Sequence, residues 1–367
     1  MKRFTNILLV LDPATPCASL VERAVAGAEN NQASLEIVAV VPQFVLAVGL
    51  PLDGTVTMDL QARFVADQTN KLEALAAPFR GRLPIGTKVL TGTPFLDVVR
   101  EVLRGAHDRV IKAAENPGWL GRLLGSDDMH LLRKCPCPVW LVRCEAPTPY
   151  RRVLAAVDVD DSYAPDELAT RRAVNREVLE LASALALSEF AELHVASVWD
   201  AIGESFLRGT FMYTPDDAVA AYVEHARQRN ANGLDALMTE LIERLGKDVV
   251  EFLKPKTHLV KGSPRREIPV LAQKLEVDVV VMGTVARTGI PGLIMGNTAE
   301  AILEQLDCSV LAIKPPGFVT PVSLQGETPA NIVDAICFRR LERLRLDLPV
   351  QPPPKITAAQ VGSTMPV

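Results

Sequence analysis

The stretch Asp278-Val-Val-Val-Met-Gly-Thr-Val-Ala-Arg-Thr-Gly-Ile-Pro-Gly-Leu-Ile-Met-Gly-Asn-Thr-Ala-Glu300, running on to Cys308-Ser-Val-Leu-Ala-Ile-Lys314, decides how the whole chain is read. The apolar run ahead of Gly283 is too short for a helix and apolar on both faces, as a central parallel strand is. A glycine-bearing loop follows, then a second glycine turn at Gly296 that opens a helix near Asn297, then a second apolar strand. A parallel strand delivers its loop to the carboxyl edge of a sheet, and a helix start offers free backbone N–H groups and a positive dipole end. That order makes a place for an anion.

The same order occurs earlier in the chain. Val153-Leu-Ala-Ala-Val-Asp158 repeats Ile7 to Asp12, each run ending in aspartate, and Leu193 to Trp199 repeats Leu35 to Val41. Lys261-Gly-Ser-Pro264 repeats Thr91-Gly-Thr-Pro94, a helix start with proline near its first turn. Asp278-Val-Val-Val repeats Asp108-Arg-Val-Ile, and the strand after Cys308 repeats the one after Cys137. The landmarks keep their separation apart from a longer first helix in the second half, so the chain holds an internal duplication of one globular unit. Alternating strands and helices give the fold class: α/β, two tandem doubly wound, Rossmann-like domains with mostly parallel sheets. A stiff proline linker at 145–150 separates a first domain, 1–146, from a second, 150–316. In the extension 317–367, residues 331–346 read as one amphipathic helix, and the proline-rich remainder reads as a mobile tail.

A length of 367 residues suits two domains that each bury a core. The net charge of −5 comes from both signs interspersed, which argues for a soluble protein and against general attraction to nucleic acid. The longest apolar segments fall short of a membrane span, and six thinly spread cysteines fit reduced thiols, so the expected location is cytoplasmic.

On these residues the region 4–315 resembles the universal stress protein family, in its tandem E-type form. The nucleotide-binding members of that family carry glycine, two residues, glycine, nine residues, then glycine followed by serine or threonine. Here Gly283 and Gly296 hold the first and last glycine positions, Ala286 replaces the middle one, and Asn297 with Thr298 stands at the hydroxyl position. The resemblance implies ATP, with or without Mg2+, as the ligand of the second copy. It implies that Val157 and Val198 line the adenine, that Met282 lies beneath it, and that Asp158 accepts from ribose hydroxyls. Gly283, Thr284, Ala286 and Arg287 would carry the phosphate loop, with Gly296, Asn297 and Thr298 completing it at the helix start. An alanine held at positive φ costs about 1 kcal/mol against glycine, so Ala286 lowers the expected affinity. The resemblance also implies that Val139–Val142 and Val310–Ile313 join the copies into a pseudo-dimer; whether whole chains pair again as a homodimer is left open by the sequence.

The first copy departs from the pattern, with Ala113 and Asn116 in place of the leading glycines. Gly125-Ser126 survives, but Glu115, Asp127 and Asp128 put carboxylates where phosphate oxygens would lie, so this copy is not expected to hold ATP. Asp12 reads as a local hydrogen-bonding residue. Cys135, Cys137 and Cys144 lack a zinc-knuckle spacing and read as structural thiols, and His194 and His258 as neighbouring strand residues. The usual hydrolase and kinase signatures are absent, which leaves slow ATP hydrolysis as the most enzymatic reading and no catalytic residue assigned. Two apolar loops, 42–54 and 200–215, hang at the carboxyl edge; packing is the first reading for them. The expected function is a cytosolic stress-response regulator that binds ATP in its second domain. The alternative is a nucleotide-independent scaffold that binds an apolar or acyl-type ligand, or a protein partner, through those loops.

Overall fold

A computed structural model of the chain describes residues 4–13, 17–43, 54–114, 126–209, 214–284 and 295–324. The first half runs β1 (Asn6–Leu11), α1 (Ala18–Asn31), β2 (Ser34–Val41), α2 (Gly54–Ala76), β3 (Ile85–Thr91), α3 (Pro94–Gly105), β4 (Arg109–Ala113), α4 (Asp127–Lys134) and β5 (Val139–Val142). The second runs β6 (Arg152–Val157), α5 (Pro165–Glu189), β7 (Glu192–Trp199), α6 (Glu204–Leu207), α7 (Asp216–Leu245), α8 (Lys247–Leu253), β8 (Lys256–Lys261), α9 (Pro264–Lys274), β9 (Val279–Gly283), α10 (Asn297–Leu303) and β10 (Ser309–Ile313). The longer first helix expected in the second half is α5, with 25 residues against 14 in α1. Pro94 and Pro264 stand in the first turns of α3 and α9. The glycines ahead of them, Gly92 and Gly262, have φ of +146° and +143°, a region that L side chains rarely enter.

The strands form one ten-stranded sheet in the order β3-β2-β1-β4-β5-β10-β9-β6-β7-β8. Each half therefore repeats the other's order, and every neighbouring pair is parallel except β5 with β10, which is antiparallel and sets Trp140 opposite Leu311. The strands expected to join the two copies do so. Strands buried along almost their whole length, such as β1, β4, β5 and β10, need cover on both faces, and the helices supply it. One apolar cluster sits under α1, α2, α5 and α7, the other under α3, α4, α9 and α10. Each draws on both halves, and each buried Leu, Ile or Val contributes about 1.5–3 kcal/mol, so residues of both halves stabilise each cluster.

Polar side chains fix the junction. Arg23 on α1 pairs with Glu189 on α5 at 2.9 Å and donates to Thr148 Oγ1 at 2.8 Å in the proline linker. Arg133 pairs with Glu300 at 2.7 Å, and Arg143 with Asp307 at 2.8 Å. Lys314, buried after β10, donates to the carbonyl of Leu132 in the other half. All these residues lie in one compact unit, Met1–Val322. Among the described residues no helix is long and apolar enough to cross a membrane. The amphipathic helix expected at 331–346 lies outside the described residues, as do 44–53 of the first apolar loop and 210–213 of the second. In the second loop Ile202 and Phe206, the latter within the single turn of α6, stay exposed, at 75% and 63%, so packing does not account for them.

Candidate functional site

Parallel strands of the second half end together at one edge of the sheet. β6 delivers Val157 and then Asp158, β7 delivers Val198, and β9 delivers Met282 and Gly283. Helices α5, α9 and α10 close over this edge and leave a cavity of about 340 Å³. Val157, Asp158, Val198, Met282, Gly283, Thr284, Gly296 and Thr298 all line it. Asn297 opens α10 but is not part of the lining, and Ala286 and Arg287 lie outside the described residues. The lining also takes in Ala156, Tyr163, Arg171, Val174, Asn175 and Ile268, which the sequence reading did not single out.

The cavity has an apolar wall and a polar wall. Val157, Val198, Met282 and Ile268 are each less than a tenth exposed and form a slot suited to a flat ring. On the other side Asn175 holds the backbone of Asp158 at both ends, accepting from its N–H at 3.1 Å and donating to its carbonyl at 2.6 Å. The carboxylate of Asp158 pairs with Arg171, and its Oδ1 accepts from the N–H of Asp160 at 3.2 Å. Arg171 is held in turn by Glu167 at 2.7 Å and stacks 3.5 Å from the ring centroid of Tyr163. Burial raises the Asp158 carboxyl above its ordinary value, against the opposing pull of Arg171. Burial, then Asp158, likewise raises the Tyr163 hydroxyl. The signal for this wall was in the sequence: Glu167, Arg171 and Asn175 recur every four residues, one stripe of α5.

Two glycines prove to be constrained differently from each other. Gly283 does not sit at positive φ; a Cβ built on it would collide with Cγ1 of Val174 on α5, so the glycine is needed for the close approach of that helix. Gly296 is the extended N-cap of α10, and a Cβ there meets nothing nearer than 3.9 Å. Thr284 is buried, and its hydroxyl is already donated to the carbonyl of Ile313 at 3.2 Å, which ties the loop start to β10. Thr298, exposed at the start of α10, has the side chain better placed for a ligand oxygen.

The first half carries a different arrangement at the same place. Lys112, which holds on β4 the register that Met282 holds on β9, forms a buried ion pair with Asp128 of α4 at 2.7 Å. Asp128 is thus a partner to a lysine rather than a free carboxylate facing a phosphate site. Ser126 caps α4 by accepting from the N–H of Met129; residues 115–125 lie outside the described residues.

The sequence signature of the universal stress protein family matches residues 3–143 and again 149–314. The chain belongs to the universal stress protein family. Universal stress protein E of Escherichia coli K12 is 28% identical to it over 330 residues, covering 89% of this chain and 99% of that protein. The universal stress protein E homolog of Haemophilus influenzae is 26% identical over 322 residues, covering 85% and 98%. Among solved structures, a putative universal stress protein from Pseudomonas aeruginosa UCBPP-PA14 superimposes with a TM-score of 0.58 at 24% identity, over 85% of this chain and 94% of that one. A universal stress protein from Archaeoglobus fulgidus gives 0.50 at 15% identity, over 84% and 98%. The two signature matches in tandem make this a two-copy, E-type member of the family, and the solved structures share its fold.

The remaining groups singled out in the sequence are structural in their surroundings. The Cys135 and Cys137 sulfurs lie 3.6 Å apart in the core, and burial pushes the Cys308 thiol up to about 12. His194 and His258 do share a face, Nδ1 to Nε2 at 2.9 Å, and burial lowers the pKa of both. Among the described residues, Glu36, Glu101 and His107 form the one cluster with metal-like spacing, and Lys88 already pairs with Glu101 at 2.7 Å.

Proposed function

We propose that this universal stress protein is a cytoplasmic stress-response regulator that binds ATP in its second domain, 150–316, with the first domain, 1–146, as its pairing partner. The observation that carries the reading is that eight residues assigned to a nucleotide from sequence line one cavity, with the apolar slot on one side and Asp158 on the other. The slot fits an adenine ring, and the Asp158 oxygens keep lone pairs for ribose hydroxyls beside Arg171. Among the described residues the lining holds a single carboxylate, Asp158, already paired with Arg171, so these residues do not make a cage for Mg2+; a divalent ion belongs to the phosphates it accompanies.

Titration calorimetry of the full chain with ATP tests this. One saturable event, lost in Thr298→Asp, which sets a carboxylate at the mouth, is the expected result; no heat at about 1 mM ATP removes the reading. A second reading rests on the exposure of Ile202 and Phe206, which suits a contact with an apolar ligand or partner.

A further inference from the structure

A second cleft, of about 1040 Å³, opens at the junction of the halves between α1 and α5, with Phe4, Arg23, Arg109, Trp140, Leu181 and Leu185 among its lining. It lies toward the strand starts: Phe4 precedes β1 and Arg109 begins β4, whereas the nucleotide cavity lies where strands end. Its most informative group is Arg109. The side chain is buried, at 6% exposure; among the described residues its Nε is buried without a hydrogen-bond partner and the guanidinium stands in no ion pair.

The groups around Arg109 do not satisfy it. The neighbouring carboxylate, Asp108, is committed to the N–H groups of Thr5 and Asn6 and the hydroxyl of Thr5. Glu189 is divided between Arg23 and the N–H of Tyr150, and Glu22 stays exposed at the rim. What Arg109 does have is aromatic faces, the Phe4 centroid at 4.0 Å and the Trp140 centroid at 5.1 Å. A cation–π contact is worth about 0.5–2 kcal/mol, while the penalty for taking a charge out of water is several kcal/mol. The rings and the nearby charge of Asp108 therefore offset only part of the cost of burial, and the remainder calls for a further counter-charge. Trp140, whose indole Nε1 lies near the Tyr150 hydroxyl, lines the same cleft.

The second half lacks this device. Val279 occupies the register position of Arg109, and Leu181 stands the same distance ahead of the left-handed cap of α5 as Arg23 does ahead of that of α1. Both buried guanidinium groups thus lie on one side of a junction whose backbone is otherwise repeated. We propose that this cleft is a second binding site, for a small organic anion whose carboxylate or phosphate pairs with the guanidinium of Arg109 while a flat apolar ring lies against Trp140. The site is separate from the nucleotide cavity and stands or falls independently of it.

The test uses the full chain and two probes, benzoate and phenyl phosphate, followed by calorimetry and by the ¹⁵N–¹H resonance of the Trp140 indole. That signal is one of three tryptophan indoles and is identified by its loss in Trp140→Phe. Saturable binding of at least one probe is expected, with a shift of the Trp140 signal and affinity at least about tenfold weaker in Arg109→Met. Arg109→Lys keeps part of the affinity, Thr298→Asp keeps all of it, and the tighter probe tells carboxylate from phosphate. The proposal is overturned if the Trp140 signal stays still at about 10 mM of both probes, if Arg109→Met binds as the wild type does, or if binding disappears in Thr298→Asp. Should Arg109→Met fail to fold, the wild-type indole titration decides alone.

Discussion

At one strand register the two halves of this protein carry Lys112 and Met282, and on the helix above, the same distance ahead of Cys137 and Cys308, they carry Asp128 and Ala299. In the first half the two charged side chains meet in the core; in the second the two small or flexible apolar ones leave a slot. The backbone is the same and the sheet order is repeated. What separates a filled position from an open one is therefore two side chains, and a buried lysine–carboxylate pair is a way of filling the position that keeps the fold. The loss of ATP binding expected for the first half thus has a packing cause as well as the electrostatic one read from its loop.

The most severe way to break the comparison is to remove one member of the filled pair. Lys112→Ala leaves Asp128 buried without that lysine, and the protein should lose about 3–5 kcal/mol in urea unfolding. Lys112→Met with Asp128→Ala, which copies the second half, should recover most of it; if the double variant is as unstable as the single, the pair is not a self-contained unit. The converse exchange, Met282→Lys with Ala299→Asp, should fold and should weaken ATP binding about 100-fold or more in calorimetry, roughly 2.7 kcal/mol. Unchanged affinity would mean that the open slot is not where the ligand goes.

A smaller effect is expected at Gly283, whose counterpart in the first half is Ala113. The first half tolerates a methyl there, and the second does not, because Val174 of α5 presses on the glycine. Gly283→Ala should cost about 1–3 kcal/mol of stability through overpacking, and Val174→Ala in the same chain should relieve it. Relief in the double variant identifies helix contact as the reason for the glycine; a loss of ATP binding without loss of stability would instead return the glycine to the phosphate.

This glycine marks where the sequence stops being legible. Strand order, the duplication, the pairing of the last strands and the convergence of Val157, Asp158, Val198 and Met282 follow from short apolar runs ending in recognisable punctuation, a local signal. Val174 against Gly283, or Asp128 against Lys112, depends on which face of a helix meets the sheet. For α5 the pattern is blurred because most of the helix's second half is buried. Arg171 and Asn175 were within reach as a polar stripe, but nothing local said that the stripe turns toward Asp158 rather than toward water. Arg109 lies on a strand, as its apolar neighbours indicate; that its charge is buried there depends on Phe4, just ahead of β1, and Trp140 of β5, which are distant in sequence.

The mildest test concerns the basic residues that close each half, Arg143 after β5 and Lys314 after β10. Arg143 remains partly open to solvent and pairs with Asp307, while Lys314 is buried beside Cys135 and Cys137, and burial lowers its pKa from 10.5 to about 8. Between those two values the unfolded chain binds more protons than the folded one, so the contribution of Lys314 to stability rises with pH. Well below about 8 the group is charged in both states and the folded protein carries the full cost of burying it. Measured against Lys314→Met, which removes the titration, the wild type should gain about 1 kcal/mol in urea unfolding between about pH 7.5 and about pH 9. Arg143→Met, measured the same way, is the control, and its difference from the wild type should not move over that range. If the Lys314 difference is equally flat, the lysine is wet, and the two halves close in the same way after all.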